Sequence, residues 1–215
     1  AARLPAQQGL PVAHAILLRN EDGDDPHLPL LLWWAVERHA VSAIEEVERR
    51  FMSTEAWRHP MIREVILARL MQRYAAEASG RSLAACARLF ETASKPSDRS
   101  RLLSALDSGL ATAAARSNQN PRIADRVPDH FKARLAEQWK EQPTDQTLLR
   151  LNAGLDNRKV LEHARQVALD DASEQASRVA MFRILRQFGD QSLVAPLLKL
   201  LNPDDPAWLQ QAAMN

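Results

Sequence analysis

Polar and apolar residues alternate with the 3.6-residue period of an α-helix along most of the chain. The clearest case lies late in the chain. Met181, Ile184, Leu185 and Phe188 fall at i, i+3, i+4 and i+7, with Ala176, Val179 and Ala180 adding a second apolar side. Gly189-Asp190 marks a turn, and Leu193, Val194, Leu197, Leu198 and Leu201 form a narrow stripe on a return helix that starts or bends at Pro196. Asn202-Pro203-Asp204-Asp205-Pro206 turns again, and Trp208 to Met214 reads as the next helix.

The same alternation of stripe and breaker runs through the earlier chain. A first helix covers about Leu10 to Leu18, and a polar turn, Asn20 to Asp24, closes it. Asp25 and Pro26 suit the N-cap and first position of a second helix, with Pro29 arguing for a slightly later start. Its stripe is Leu28, Leu31, Leu32, Ala35 and His39, and Trp33 and Val36 broaden the apolar surface until almost no polar side remains. Such a helix is expected to have neighbours on several sides.

Ser42-Ala43-Ile44-Glu45 has capping-box spacing and predicts a helix to about Phe51. Pro60 opens a long helix carrying Ile62, Val65, Ile66, Leu70 and Tyr74, and Ser79-Gly80 is expected to end it with glycine in the left-handed position. Leu83, Cys86, Ala87 and Phe90 mark the next helix, and Leu102, Leu103, Leu106, Leu110 and Ala113 the one after Lys95-Pro96-Ser97. The stretch 116–128, centred on Asn118-Gln119-Asn120-Pro121, is the least patterned and reads as a long loop or a soft boundary. Beyond it come stripes at Phe131, Leu135 and Trp139, at Leu148, Leu149, Leu151 and Leu155, and at Val160, Leu161, Ala164, Val167 and Ala168. Asp171-Ala172-Ser173-Glu174 predicts a capped start for the helix of Met181.

Asp24-Asp25-Pro26 recurs as Asp204-Asp205-Pro206, and Arg178-Val179-Ala180 lies about one helix–turn–helix repeat before Gln210-Gln211-Ala212. One helix pair cannot hold its apolar face against chain entropy, so stacked neighbours are required. The expected fold is all-α: a single HEAT/armadillo-like α-solenoid of antiparallel helix pairs over residues 1–215, with roughly ten helices. The chain begins and stops inside helical pattern, which suggests a piece excised from a larger protein.

Composition narrows the function classes. Only 6 of the 215 residues are Gly, few for a fold built on tight turns or phosphate loops. A net charge of +1 gives no electrostatic footprint for nucleic acid, and no apolar run reaches the roughly 18 residues of a membrane span. Cys86 is the one cysteine, which excludes an intrachain disulfide and a Cys-x-x-Cys-His haem attachment.

No catalytic, cofactor-binding or metal-ligating residue is assigned. The six His are scattered, without zinc-site spacing, and His39 lies on an apolar stripe, where a histidine bonded to backbone is the simpler reading. Asp22, Asp24 and Asp25 around Gly23 lack the closing Glu of a calcium loop and read as turn and cap. Cys86 sits at helical spacing with Leu83 and Phe90, as a buried inert thiol does, and the run Glu45, Glu46, Glu48, Arg49, Arg50 reads as a solvated face with ion pairs. Trp33 and Trp34 stand about 100° apart on their helix, so one of them can face away from the core; a packed inter-helix contact is the simpler reading, and a binding aromatic the alternative.

Leu28-Pro29-Leu30-Leu31-Leu32-Trp33-Trp34-Ala35-Val36-Glu37 resembles a segment of the large multidomain proteins of planctomycetes and verrucomicrobia called membrane-bound dehydrogenase or PVC-type c-cytochrome proteins. Leu83 to Phe90 and Arg178 to Leu185 are similar to later parts of the same region. The resemblance implies a repeat region between a sugar-dehydrogenase-like β-propeller and a cytochrome c domain, in an exported, periplasmic protein. Haem c is then expected only in a neighbouring domain, and the partners of this chain are neighbouring domains or other proteins. The expected function is a non-enzymatic scaffold or spacer. A stand-alone protein- or peptide-binding module is the alternative, and a nucleic-acid-handling repeat protein the less favoured one.

Overall fold

The computed structural model describes residues 3–19, 25, 27–116 and 123–189. Among these the chain is all-helical, with ten α-helices and no strand. The expected return helix of Leu193 to Leu201, the turn at Asp204-Asp205-Pro206, the helix from Trp208, the Asp22–Asp24 cluster and the Asn118–Pro121 centre lie outside the described residues. The chain divides into two compact units, Ala1–Phe131 and Lys132–Asn215.

The first unit contains α1 (Ala6–Arg19), α2 (Leu28–Ala40), α3 (Ile44–Phe51), α4 (Leu67–Glu77), α5 (Gly80–Thr92) and α6 (Pro96–Arg116), with α7 (Asp129–Glu141) beginning at its end. α2 starts at Leu28 with Pro29 in its first turn, the later of the two expected starts. Asp25 is not the N-cap of α2, a position His27 takes without a side-chain bond, but from two residues upstream its Oδ1 accepts from the N–H groups of His27 and Leu28 at 2.7 and 2.8 Å. Those two donors hold its carboxyl below the ordinary carboxylate range.

Ser42 does not cap α3; Ala43 stands at the cap position with no side-chain bond, because the chain leaves α2 through a turn closed by Ala43 N–H on the His39 carbonyl. α4 is entered from Pro60 through a five-residue π-helical segment, Ile62–Ile66. The buried residues Ile62, Ile66, Leu70 and Tyr74 follow a strict four-residue spacing. On an α-helix that row drifts by about 40° per step, and the wider π turn takes up part of the drift.

The end of α4 differs from the expectation. Ala78, not Gly80, adopts the left-handed conformation, at φ 52°, and Gly80 instead opens α5 behind Ser79, whose Oγ accepts from Ser82 N–H at 3.1 Å. Ser79 is a better helix start than helix end, so the turn closes two residues early at the cost of a strained alanine.

In the second unit α7 is followed by α8 (Gln146–Gly154), α9 (Arg158–Leu169) and α10 (Gln175–Phe188). Asp145 caps α8 through the N–H groups of Thr147 and Leu148 at 2.8 and 2.9 Å. Asn152 is buried; its amide donates to the carbonyls of Leu135 and Leu148 at 3.1 and 2.9 Å, and its oxygen accepts from Asn157 at 3.0 Å. Asp171 does not cap α10. Asp170 holds that turn, through Ala172 N–H and Ser173 Oγ, and Asp171 pairs with Arg178 at 3.0 Å.

Three arginines close helix ends, where the last carbonyls have no partner inside the helix. Arg126 donates to the Ala78 carbonyl after α4 at 3.1 Å, Arg99 to Ala93 after α5 at 2.8 Å, and the buried Arg178 to Ala168 near the end of α9 at 3.0 Å. Packing is local in each unit: among the described residues every substantial helix–helix contact joins a helix to the next one or the next but one. α4 packs closely against α6 at Gly109, where a Cβ would come within 2.5 Å of Ala75 Cβ and of the Gln72 carbonyl oxygen.

Candidate functional site

α2 carries the most distinctive sequence, and the structure sorts its two faces. Leu32, Trp33, Ala35, Val36, His39 and Ala40 point inward, with Trp33 only 5% exposed. Leu31 and Trp34 point outward at 53% and 52% exposure, and Arg38 shares their side at i, i+3 and i+7. This corrects the predicted stripe, which placed Leu31 with the core. α1, α3 and α4 take the inner faces of α2 and leave the Leu31–Trp34 face open. The helix is therefore not enclosed on every side.

His39 is buried, and its Nε2 lies 3.1 Å from the Leu4 carbonyl oxygen, the backbone partner its stripe position predicts. It ties the segment before α1 to α2. Cys86 is fully buried, its Sγ 3.8 Å from the Met71 carbonyl, and burial pushes its thiol well above the ordinary cysteine range. Nothing there favours a thiolate nucleophile. Among the described residues no group of three or more His, Cys, Asp or Glu side chains is placed to hold a metal ion, and no helix is long and apolar enough to cross a membrane.

The charge run on α3 does more than face solvent. Glu46 binds Arg49 and, at 2.5 Å, Arg50 on its own helix, whereas Glu45 reaches Arg81 and Glu48 reaches Arg88 on α5. The Arg88 pair is two-pronged, at 2.5 and 3.1 Å, and it raises the guanidinium's affinity for its proton. These partners lie 36 and 40 residues away in the chain, so helical spacing within α3 does not reveal them. An open cleft of about 320 Å³ is lined by Ala76, Glu77, Ala78, Ala113, Arg116, Ile123 and Arg126, at the end of α4. Tyr74 is buried nearby in sequence, and desolvation holds its phenol protonated.

These groups do not converge on one reacting centre. Trp33, His39 and Cys86 serve the core, Asp25 serves a helix start, and Trp34 stands on the surface with Leu31. The chain matches no family model, and neither a curated protein nor a solved structure is similar enough to count as a match.

Proposed function

We propose that this chain is a non-catalytic helical-repeat scaffold, a HEAT/armadillo-like α-solenoid that docks neighbouring domains or a protein partner within a larger, exported redox protein. The observation that carries the docking role is the outward pair Leu31 and Trp34 on α2. A tryptophan and a leucine about one helical turn apart, both half in water with a cation beside them, match the aromatic and arginine anchors on which protein interfaces are built. The solenoid part is supported by the local range of the substantial helix–helix contacts, which among the described residues join a helix to the next one or the next but one, as in stacked repeats. The redox setting rests on the resemblance of Leu28 to Glu37 to the dehydrogenase–cytochrome proteins, in which haem belongs to a neighbouring domain.

Two measurements test this reading. Small-angle scattering of the intact chain should give an elongated, curved body, and a compact sphere would sink the solenoid. Calorimetric titration with dehydrogenase-like and cytochrome c domains should show binding that Trp34→Ala weakens by about tenfold or more. Stoichiometric uptake of haem, flavin or metal by the chain alone would contradict the non-catalytic role.

A further inference from the structure

Among the described residues every exposed large apolar side chain lies between Leu4 and Trp34, in α1, in α2 or just before α1. The two most exposed, Leu31 and Trp34, share one face of α2 with Arg38. Apolar exposure is thus confined to one helix pair of the first unit, and it is greatest at the middle of α2.

The two ends of that face differ in charge. At its start stands Asp25, an exposed carboxylate whose Oδ1 takes the N–H groups of His27 and Leu28, while no described residue bonds to its Oδ2. By sequence, three more acids, Glu21, Asp22 and Asp24, precede it, against the single Arg19. At the far end stands Arg38, exposed and without an ion pair among the described residues. Arg3 lies at that end too, because the carbonyl of its neighbour Leu4 meets His39 Nε2 at 3.1 Å.

An apolar centre between an acidic end and a basic end is its own complement in one arrangement. Laid antiparallel on a second copy, about a two-fold axis midway between Leu31 and Trp34, α2 sets each leucine against the other copy's tryptophan. In that register Asp25 stands opposite Ala40 of the other copy, two residues or about 3 Å along the axis from Arg38, within reach of its guanidinium. A parallel copy would set Asp25 on Asp25 and Arg38 on Arg38. Resting on the reading of the Leu31–Trp34 face as a docking surface, we infer that its occupant is a second copy of this chain, bound antiparallel through α2 with an Asp25–Arg38 ion pair on either side of the Leu31–Trp34 centre. A single helix face makes a small interface, so the dimer is weak and forms with rising concentration.

Sedimentation equilibrium of the intact chain tests the pairing. The wild-type chain should pass from monomer to dimer by about 100 μM, and added salt should weaken the association. Arg38→Glu and Asp25→Lys should each weaken it by about tenfold or more, since each sets like charges at both ends of the interface. Mixed in equal amounts, the two variants should associate again, because only the mixed dimer carries opposite charges at both ends. Arg38→Glu alters an exposed side chain, so it keeps the test valid should Asp25→Lys, which removes two bonds at the start of α2, fail to fold. A chain still monomeric at about 100 μM, variants that associate as the wild type does, or a mixture no tighter than either variant alone would overturn the proposal. A monomeric chain that still binds another domain through Trp34 would remove this inference and leave the docking role standing; loss of both would remove the docking role as well.

Discussion

Gly109 shows how much one missing methyl group decides. Its helix tolerates glycine only at a loss of about 0.5–1 kcal/mol relative to alanine, so local propensity alone would favour Gly109→Ala. Packing opposes it, because the added Cβ would stand 2.5 Å from both Ala75 Cβ and the Gln72 carbonyl oxygen. Both belong to α4, and the carbonyl is backbone that cannot rotate away. Overpacking of this kind costs about 1–3 kcal/mol, which outweighs the propensity gain. We expect Gly109→Ala to lower the urea midpoint without changing the m-value. A rise in the midpoint would mean that α4 and α6 separate easily. The sequence shows Gly109 only as a weak point in a helical stripe, since nothing local announces which helix presses against it.

At the scale of elements, the buried stripes were legible and the helix ends much less so. Leu102, Leu103 and Leu106 of α6, Phe131, Leu135 and Trp139 of α7 and Leu148, Leu149 and Leu151 of α8 are all buried as their spacing predicts. Leu31 has the right spacing but lies outside, because a helix apolar on nearly every side has no unique phase until its neighbours choose one. The capping motifs at Ser42 and Asp171 failed for a related reason. A cap needs its own residue in non-helical geometry, and the incoming chain sets that. At α10 the neighbouring Asp170 takes the turn, which frees Asp171 for Arg178. Arg178 has 6% side-chain exposure against 91% for Asp171, so the ion pair is mostly screened at the aspartate while the bond to the Ala168 carbonyl is buried. We therefore expect Arg178→Met to cost about 1.5–3 kcal/mol and Asp171→Asn less than about 1 kcal/mol, as read by chemical denaturation. Equal losses would place the interaction in the ion pair instead.

For the molecule as a whole, the range of contacts matters more than any single one. Helices whose substantial contacts, among the described residues, are with the next and the next but one draw most of their stability from near neighbours, so damage should stay close to where it is made. Gly109→Ala and Arg178→Met lie in different compact units and make a matched pair of probes. Hydrogen exchange should show Gly109→Ala weakening α4 to α6 with α8 to α10 unaffected, and Arg178→Met weakening α9 and α10 with α4 to α6 unaffected. A globular domain with one shared core would spread either loss across all protected amides, because every opening would pass through the same cooperative transition. The outcome bears directly on the scaffold reading. A chain whose parts yield separately can present the Leu31–Trp34 face of α2 unchanged while another segment gives way, which suits a spacer between domains. A chain that loses protection everywhere at once would instead have to keep its whole fold intact to hold that face.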